Sequence, residues 1–437
     1  MHGRSRRFSL GGRKGGVWFL VATTAVSVLN FAFHVLFSRS LGPSSYSELG
    51  TLLALITIAS VPLGALQLAT AHASTSSGAG RGARDIVQKT AIAAALGEGL
   101  IAISSVWLAH FFHISSPVPV ILFGAWLVVA TVAAVPAGVL IGREEFRPVA
   151  VALFAGTGGV RLVLGALLSI AHAGVDGAMA ATIVGQLVTL ALLMRTSVES
   201  LLGRSLPQMR LAGDDGWLSV SAVTSLAVLV SIDTLMARRL LTSSDSGFYT
   251  AADTLGRIAL FAPGAVATMA FPRFVAQASR GAASRRDLLR VLGAVMAIGV
   301  VAAAALSIAP RITVRTLFGA SYGPATHVLV PLAIAGALLG CLTLLSYFHI
   351  ANRSPAALLG WGGSLLVVFV ARAGTISARR LALTDVAMIA VTTAISLGVA
   401  LWAPTFGSGD REPLVRDVAE APGIGPIGST VIGELPD

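Results

Sequence analysis

Six ionisable residues lie in the middle or near the start of long apolar stretches, where a charge is costly to bury: Glu98, Arg161, Asp233, Asp253, Arg257 and Asp385. Because such residues are rare within apolar stretches of this length, each is a candidate for ligand binding or ion transport. Carboxylates in such places can carry a proton or a cation. Arginines bind anions, since the planar guanidinium donates paired hydrogen bonds that match a phosphate group.

Two of these residues are spaced for direct contact. Asp253 and Arg257 are four residues apart, so on a helix they share one face and can form an ion pair. The pair has two interpretations: a self-neutralised contact inside the protein, or a cation that gives up its carboxylate when an anionic ligand arrives. Glu98 and Arg161 could form a second pair, but the sequence does not show whether they meet.

Neutral polar residues occur in the same apolar stretches. Asn30 and His34 are four residues apart in the first stretch, Gln67 lies late in the second, and Gln186 is central in the sixth. We interpret His34 as a packed, hydrogen-bonded histidine rather than one that titrates.

The elements that position these residues are predicted to be membrane helices. Apolar residues make up 55% of the chain and charged residues only 12%, which is outside the range of soluble proteins. Apolar runs of about 18 to 25 residues can each cross a hydrocarbon core of about 30 Å, and strands with open edges cannot be satisfied there. The predicted fold is therefore all-α, with about twelve transmembrane spans: 17–37, 49–70, 90–111, 118–141, 149–171, 178–195, 217–240, 248–271, 288–309, 325–349, 355–372 and 384–403.

Two segments, 37–64 and 236–264, look like copies of each other. Each ends one helix at an arginine, continues through a short polar turn and a tyrosine, and begins an apolar helix that contains a proline. The matched residues are Arg39, Tyr46 and Pro62 in the first copy, and Arg238-Arg239, Tyr249 and Pro263 in the second. The prolines predict a kink or a break in each helix. The duplication predicts two pseudo-symmetric six-helix lobes, an organisation that alternating access requires.

These observations divide the chain into five parts: a basic cytoplasmic N-terminus at 1–16, an N-lobe at 17–195, a cytoplasmic linker at 196–216, a C-lobe at 217–403 and a disordered cytoplasmic tail at 404–437. Most lysines and arginines lie on the side of the N-terminus, so the positive-inside rule places both termini in the cytoplasm. The same topology explains the net charge of +11 and predicts contact with anionic lipids. Nucleic-acid binding is not expected, since the cations are scattered without interleaved aromatic residues.

Several chemistries have no motif in the sequence. There is no Gly-x-x-x-x-Gly-Lys phosphate loop and no His-Glu-x-x-His pattern, and Cys341 is the only cysteine. The predicted external loops are too short for the catalytic domain of a multi-spanning glycosyltransferase. We therefore expect no catalytic residues, no metal site and no cofactor, and we do not expect an enzyme.

The turn Ser38-Arg39-Ser-Leu-Gly42, followed by Tyr46, resembles the turn between the first two helices of polysaccharide (O-antigen type) flippases. These proteins belong to the multidrug/oligosaccharidyl-lipid/polysaccharide exporter superfamily. In the second half, Gly247-Phe-Tyr249-Thr-Ala-Ala252 and Phe271-Pro-Arg273 are similar to further segments of that family. The likeness extends over residues 15–403. The chain departs from the family in having no central charge in its first helix.

The resemblance implies two lobes around a central cavity, which move a polyprenyl-diphosphate-linked saccharide across the cytoplasmic membrane under an ion gradient or membrane potential. It implies three kinds of partner: the lipid-linked saccharide, anionic lipids and envelope glycosyltransferases. On this interpretation the substrate-binding residues are Arg161, Arg257, Arg39, Gln67 and Asn30. The ion-coupling residues are Glu98, Asp253 and Asp233.

Two alternatives stay open. A cation-coupled multidrug exporter of the same superfamily would use acidic residues, above all Glu98 and Asp253, to bind cationic drugs. A non-transporting membrane scaffold of an envelope assembly complex would have buried charges that are all paired, and no open cavity. The arginines within the spans favour an anionic substrate.

Overall fold

The computed structural model describes residues 10–75, 83–202, 214–278, 285–372 and 377–402. Every regular element in these ranges is a helix, so the predicted all-α class is confirmed. The middle of the predicted linker, most of the basic N-terminus and the predicted disordered tail at 404–437 lie outside the described residues. The domain boundaries therefore stay predictions.

The first half contains six α-helices and one π-helical segment. They are α1 Leu10–Thr75, α2 Ala83–Phe111, α3 Val118–Gly142, α4 Phe146–Ala152, the π-helix Leu153–Val160, α5 Arg161–Ile170 and α6 Gly174–Leu202. The helix α1 holds the first two predicted spans. Its backbone leaves helical geometry at Gly42, where φ is 71° and ψ is 172°. That combination is open to glycine almost alone, so Gly42 separates the two spans.

The second half contains eight α-helices. They are α7 Asp214–Leu240, α8 Ser243–Gly256, α9 Ile258–Ala278, α10 Arg285–Ile308, α11 Pro310–Phe318, α12 Thr326–Ala351, α13 Leu359–Arg372 and α14 Ala378–Trp402, with short 3₁₀ turns before α12 and α13. By length and composition, 11 of the described helical stretches can cross a membrane, and one of them is the double-span α1. The twelve predicted spans are thus all present as helix.

The prolines were predicted to kink or break their helices, and a break is wrong for both Pro62 and Pro263. Both prolines lie inside continuous helix, in α1 and α9. A membrane helix tolerates the lost hydrogen bond, since neighbouring groups re-satisfy the freed backbone carbonyl. In the second copy the helix is interrupted earlier, at Arg257, between α8 and α9. A second feature that the sequence did not predict is α11, a short helix between the ninth and tenth spans.

The lobes meet along α1, which packs against α7 and α8. Around Phe33, Phe37 and Met179, the buried core of the N-lobe also includes Leu235 of α7. The C-lobe core around Tyr249 and Tyr322 includes Tyr46 of α1. Each lobe therefore completes its core with a side chain from the other, at the level of the duplicated turns.

Candidate functional site

Arg161 is the cation of the N-lobe, and it stands at the first position of α5, directly after the π-helical segment. Its guanidinium donates to the side-chain oxygen of Asn30 at 2.9 Å and lies 4.0 Å from the centroid of the Phe33 ring. Its Nε is buried without a hydrogen-bond partner. Both contacts are with neutral groups, so within the described residues no carboxylate neutralises Arg161.

The π-helix explains how an arginine comes to stand there. The segment Leu153–Val160 contains the glycines that the sequence places beside Arg161. Gly156 packs so closely on α6 that a Cβ would collide with the Thr189 hydroxyl, and a Cβ on Gly185 would lie 2.9 Å from Cβ of Arg161. A π-helical turn shifts the following residues around the helix axis, and such turns are frequent at functional sites.

Arg257 is the C-lobe arginine of the candidate site, and it is paired. Its Nε donates to Asp253 at 2.9 Å, its terminal nitrogen approaches the same carboxylate oxygen at 2.7 Å, and it also donates to the Val230 carbonyl at 2.9 Å. Thr234 donates to this carboxylate oxygen as well, at 2.9 Å. The predicted i,i+4 pair is therefore present, and unlike Arg161 this cation already holds an anion.

A chain of hydrogen bonds connects the two lobes beside these arginines. His34 Nδ1 lies 3.0 Å from the Tyr46 hydroxyl, which lies 3.2 Å from the Thr254 hydroxyl of α8. His34 is four residues after Asn30, the partner of Arg161, and Thr254 directly follows Asp253, the partner of Arg257. The two guanidinium groups therefore belong to one central region, one on each side of the lobe interface. His34 is hydrogen-bonded, as the sequence suggested.

Two further carboxylates of the C-lobe are buried on helices that pack together with the Asp253–Arg257 pair. Asp233 accepts a hydrogen bond from Tyr249 at 3.1 Å, while its second oxygen is buried and unpaired. Asp385 of α14 is only 2% exposed and also has an unpaired buried oxygen. Thr234, the sequence neighbour of Asp233, donates to Asp253, and α14 packs against α7 and α8, which contain the other two carboxylates. We refer to Asp233, Asp253 and Asp385 as the acidic cluster.

The other predicted site residues lie outside this central region or at its edge. Arg39 is exposed and donates to backbone carbonyls of α11. Gln67 is half-buried in the second span of α1, where its carbonyl touches Gly138. The Glu98 carboxylate packs on Gly124 of α3 and has a buried oxygen without a hydrogen bond. Arg161 contacts Asn30 and not Glu98, so that suggested pair is absent from the structure.

The sequence analysis gave no role in the site to several residues that the structure places there. Asp385 was recognised as an intramembrane charge without a role, and Phe33, Thr234 and Tyr249 were not singled out. Tyr46 and Tyr249 were visible only as matched residues of the repeat. The spacing of the residues that bond these tyrosines could have indicated their role. His34, which bonds Tyr46, precedes Arg39 by five residues, and Asp233, which bonds Tyr249, precedes Arg238 by five.

The contacts between lobes named above lie toward one end of the bundle. From Tyr46 to Ala54 every residue in the second span of α1 is buried, and Leu53 is 9% exposed. Further along the same helix, Leu68 is 60% exposed. In the second copy, Tyr249 to Gly256 are buried and Met269 is 66% exposed. The lobes therefore close around the duplicated turns, and both copies become more exposed toward the end that the positive-inside count assigns to the cytoplasm.

A family model described as polysaccharide biosynthesis protein matches residues 13–277, which is more than half of the chain. The chain belongs to this family. The match includes all of the N-lobe, both copies of the repeat and both arginines of the central region. No curated protein matches the sequence significantly.

Several solved structures have the same fold as this chain. An inward-facing multidrug resistance MATE family transporter of the MOP superfamily has a TM-score of 0.68 at 14% identity, over 89% of this chain and 97% of that chain. The outward-facing conformation of such a transporter has a TM-score of 0.60 at 16% identity, over 89% and 93%. A MOP superfamily transporter from Pyrococcus furiosus, described as having reverse polarity of its binding pocket, also has a TM-score of 0.60 at 16% identity, over 89% and 93%.

The chain thus combines membership of this family with the fold of MOP superfamily transporters and with 11 described helical stretches that can cross a membrane. Among these neighbours the fold occurs in both an inward-facing and an outward-facing conformation. Two lobes of six helices each are the fold that was predicted from the repeat.

Proposed function

We propose that this chain is a flippase that carries a polyprenyl-diphosphate-linked oligosaccharide, or a related lipid-linked precursor of the cell envelope, across the cytoplasmic membrane. The observation that carries the proposal is Arg161, a half-buried guanidinium whose contacts are an amide and an aromatic ring. A cation at mid-membrane without a counter-charge is costly, so it is expected to be completed by an anionic ligand. A diphosphate supplies that charge.

Arg257 supplies the second contact on this proposal. Its guanidinium is held by Asp253, so an arriving phosphate must compete with this carboxylate. Both are anions of similar geometry, and arginine binds either with forked hydrogen bonds. Exchange of one for the other would free Asp253 when substrate binds, while the saccharide occupies the space between the lobes and the polyprenyl chain stays in lipid. On the other side of the interface, Asn30 orients the guanidinium of Arg161. Gln67 remains a predicted contact to the saccharide.

The acidic cluster is the proposed site of ion coupling. Three buried carboxylates with one guanidinium and two unpaired buried oxygens have an excess of negative charge. Such an excess calls for a proton or a bound cation. Release of Asp253 by the substrate would increase that excess and so link cation uptake to substrate binding. Glu98, remote from Arg161, is a second predicted coupling group.

The competing proposal is a cation-coupled multidrug exporter, which the acidic cluster and the MATE neighbours favour. The Arg161 environment argues against it, because an uncompensated guanidinium repels a cationic drug. It also argues against a non-transporting scaffold, in which every buried charge would be paired. We further propose a location in the cytoplasmic membrane with both termini in the cytoplasm, contact with anionic lipids, and envelope glycosyltransferases as the enzymes that supply the substrate.

The test is flipping of a lipid-linked oligosaccharide in vesicles that contain the purified protein, measured as saccharide that becomes accessible on the opposite leaflet. Arg161→Ala should lower the rate by about tenfold to a hundredfold, because a hydrogen bond to a charged group contributes about 1.5–3 kcal/mol. Arg161→Lys should retain part of it, since the charge remains and the fork is lost. The matched control is Arg290→Ala, because the Arg290 side chain is 78% exposed and its ion pair among the described residues is with Asp287. Equal rates for Arg161→Ala and the control, or export of a cationic dye with no flipping, would overturn the proposal.

A further inference from the structure

Arg39, at the end of the first span, crosses the lobe interface. Its Nε donates to the Leu317 carbonyl at 2.9 Å, and its terminal nitrogen donates to the Thr316 carbonyl. Both acceptors lie in the last turn of α11, in the C-lobe. The end of the bundle that contains this contact is the one that the positive-inside count predicts to face outside, and we call it the predicted outer end.

Arg238, at the end of the seventh span, crosses the interface in the opposite direction. Its Nε donates to the Phe112 carbonyl at 3.0 Å, and a terminal nitrogen donates to the His113 carbonyl. These acceptors follow the last turn of α2, in the N-lobe. Arg238 also donates to Glu48 at 3.2 Å, and both side chains are buried, at 3% and 6% exposure.

The acceptors explain why arginine stands at both places. The last carbonyls of a helix have no partner within the helix and carry the negative end of its dipole. A guanidinium supplies several donors and a positive charge to such a helix end. Each arginine thus caps the C-terminal end of a helix that belongs to the other lobe.

The two contacts are equivalent under the internal repeat. Arg39 and Arg238 occupy the same position in the two copies, each at the end of the first span of its lobe. Each reaches the connection that follows the third span of the opposite lobe. Reciprocal contacts of this kind are expected where two pseudo-symmetric surfaces face each other.

We propose that Arg39 and Arg238 are a pair of equivalent interlobe latches that hold the predicted outer end closed, and that both must release before the transporter opens to the outside. The latches differ in strength. Arg238 is buried with Glu48, whose other oxygen accepts from Ser115 at 2.9 Å, whereas Arg39 is exposed to solvent. Release of Arg238 therefore limits opening, and the exposed Arg39 latch contributes a smaller part.

The proposal concerns the closed state and not the substrate, so its test needs no substrate. A single reporter, Thr250→Cys in a Cys341→Ala background, places a thiol in the interface where Thr250 is 3% exposed and faces Gly50. A membrane-impermeant maleimide added to intact cells labels this thiol only when the predicted outer end opens. We compare labelling rates for Arg39→Ala, Arg238→Ala, Glu48→Gln and the double arginine variant.

Arg39→Ala is expected to raise the labelling rate by about threefold to tenfold, and Arg238→Ala by more, since charged hydrogen bonds to a buried partner are stronger. Because the latches act in parallel and are not in contact, the double variant should show about the product of the two effects. Arg311→Ala is the matched control, an exposed arginine of α11 for which the described residues show no contact with the N-lobe.

Glu48→Gln protects the test against misfolding, since Arg238→Ala leaves a buried carboxylate without its cation. The amide keeps the shape and still accepts from Ser115, so this variant should fold and label faster than the parent protein. Labelling of Arg39→Ala and Glu48→Gln at the rate of Arg311→Ala would overturn the proposal. So would a double variant that is no faster than Arg238→Ala alone.

Discussion

At the residue scale, the two intramembrane arginines differ in what already holds them. Arg161 rests on an amide and an aromatic ring, while Arg257 is bound to Asp253 at 2.7 Å. Arg161 can therefore bind an anion directly, whereas Arg257 must first release the Asp253 carboxylate. This difference leads to two distinct predictions for the C-lobe.

Arg257→Ala should abolish flipping, and Arg257→Lys should keep part of it, because lysine retains the charge but not the forked donor geometry. Asp253→Asn should act differently: it frees Arg257, so the substrate should bind about tenfold more tightly and leave more slowly. Binding of the lipid-linked saccharide and its flipping rate, measured on the same preparations, separate the two effects. Native flipping by Arg257→Ala would make this arginine structural.

Asp233 is the member of the acidic cluster with both a defined donor and an unpaired oxygen. Asp233→Asn removes the charge but can still accept from Tyr249, so the fold should persist. We expect transport in vesicles to lose its dependence on an imposed proton or sodium gradient, while binding of the substrate is retained. The control is Tyr249→Phe, which removes the hydrogen bond and leaves the carboxylate. A gradient response unchanged in Asp233→Asn would contradict the coupling role.

At the element scale, close helix crossings lie directly behind each arginine. Gly185 of α6 approaches the Cβ of Arg161, and Gly336 of α12 lies against the backbone of Gly256, next to Arg257. Small residues allow membrane helices to approach this closely. The crossings therefore fix the backbone positions from which the two arginine side chains extend.

Gly185→Ala and Gly336→Ala should each destabilise the protein by about 1–3 kcal/mol, the usual cost of overpacking, and should lower transport. Gly264→Ala is the matched control, since nothing lies within 4 Å of a Cβ at that helical position. Thermal unfolding in detergent, with transport assayed in parallel, measures both effects. Equal melting temperatures for all three variants would show that the two helix crossings can accommodate a methyl group without loss of stability.

At the scale of the whole molecule, transport requires the lobes to separate at the end where they now touch. A Cβ on Gly50 would lie 3.4 Å from Cβ of Thr250, close to the spacing of about 3.5–4.5 Å that a disulfide needs. Gly50→Cys with Thr250→Cys, in a Cys341→Ala background, should therefore crosslink on oxidation. We expect flipping to stop on oxidation and to return on reduction, with each single cysteine variant as a control. Full transport by the crosslinked protein would exclude opening at this end.

The sequence by itself determined that the chain lies in a membrane, where its spans are, and that its two halves are related by duplication. Apolar runs long enough to cross a bilayer leave helix as the one satisfied backbone conformation, and all twelve predicted spans are helical. The i,i+4 pair of Asp253 and Arg257 was also predictable, because both residues lie on one element and helix geometry alone brings them together.

Only the tertiary structure decided which distant charges meet. Glu98 and Arg161 were plausible partners, yet Arg161 contacts Asn30, since the choice depends on which helices pack together and at what rotation. The π-helix that precedes Arg161 and the turn at Arg257 likewise lie where glycines allow close helix crossings, and these crossings depend on how distant helices pack. The matched Arg39 and Arg238 were visible as a repeat, but their contacts with the opposite lobe exist only once the two halves are assembled.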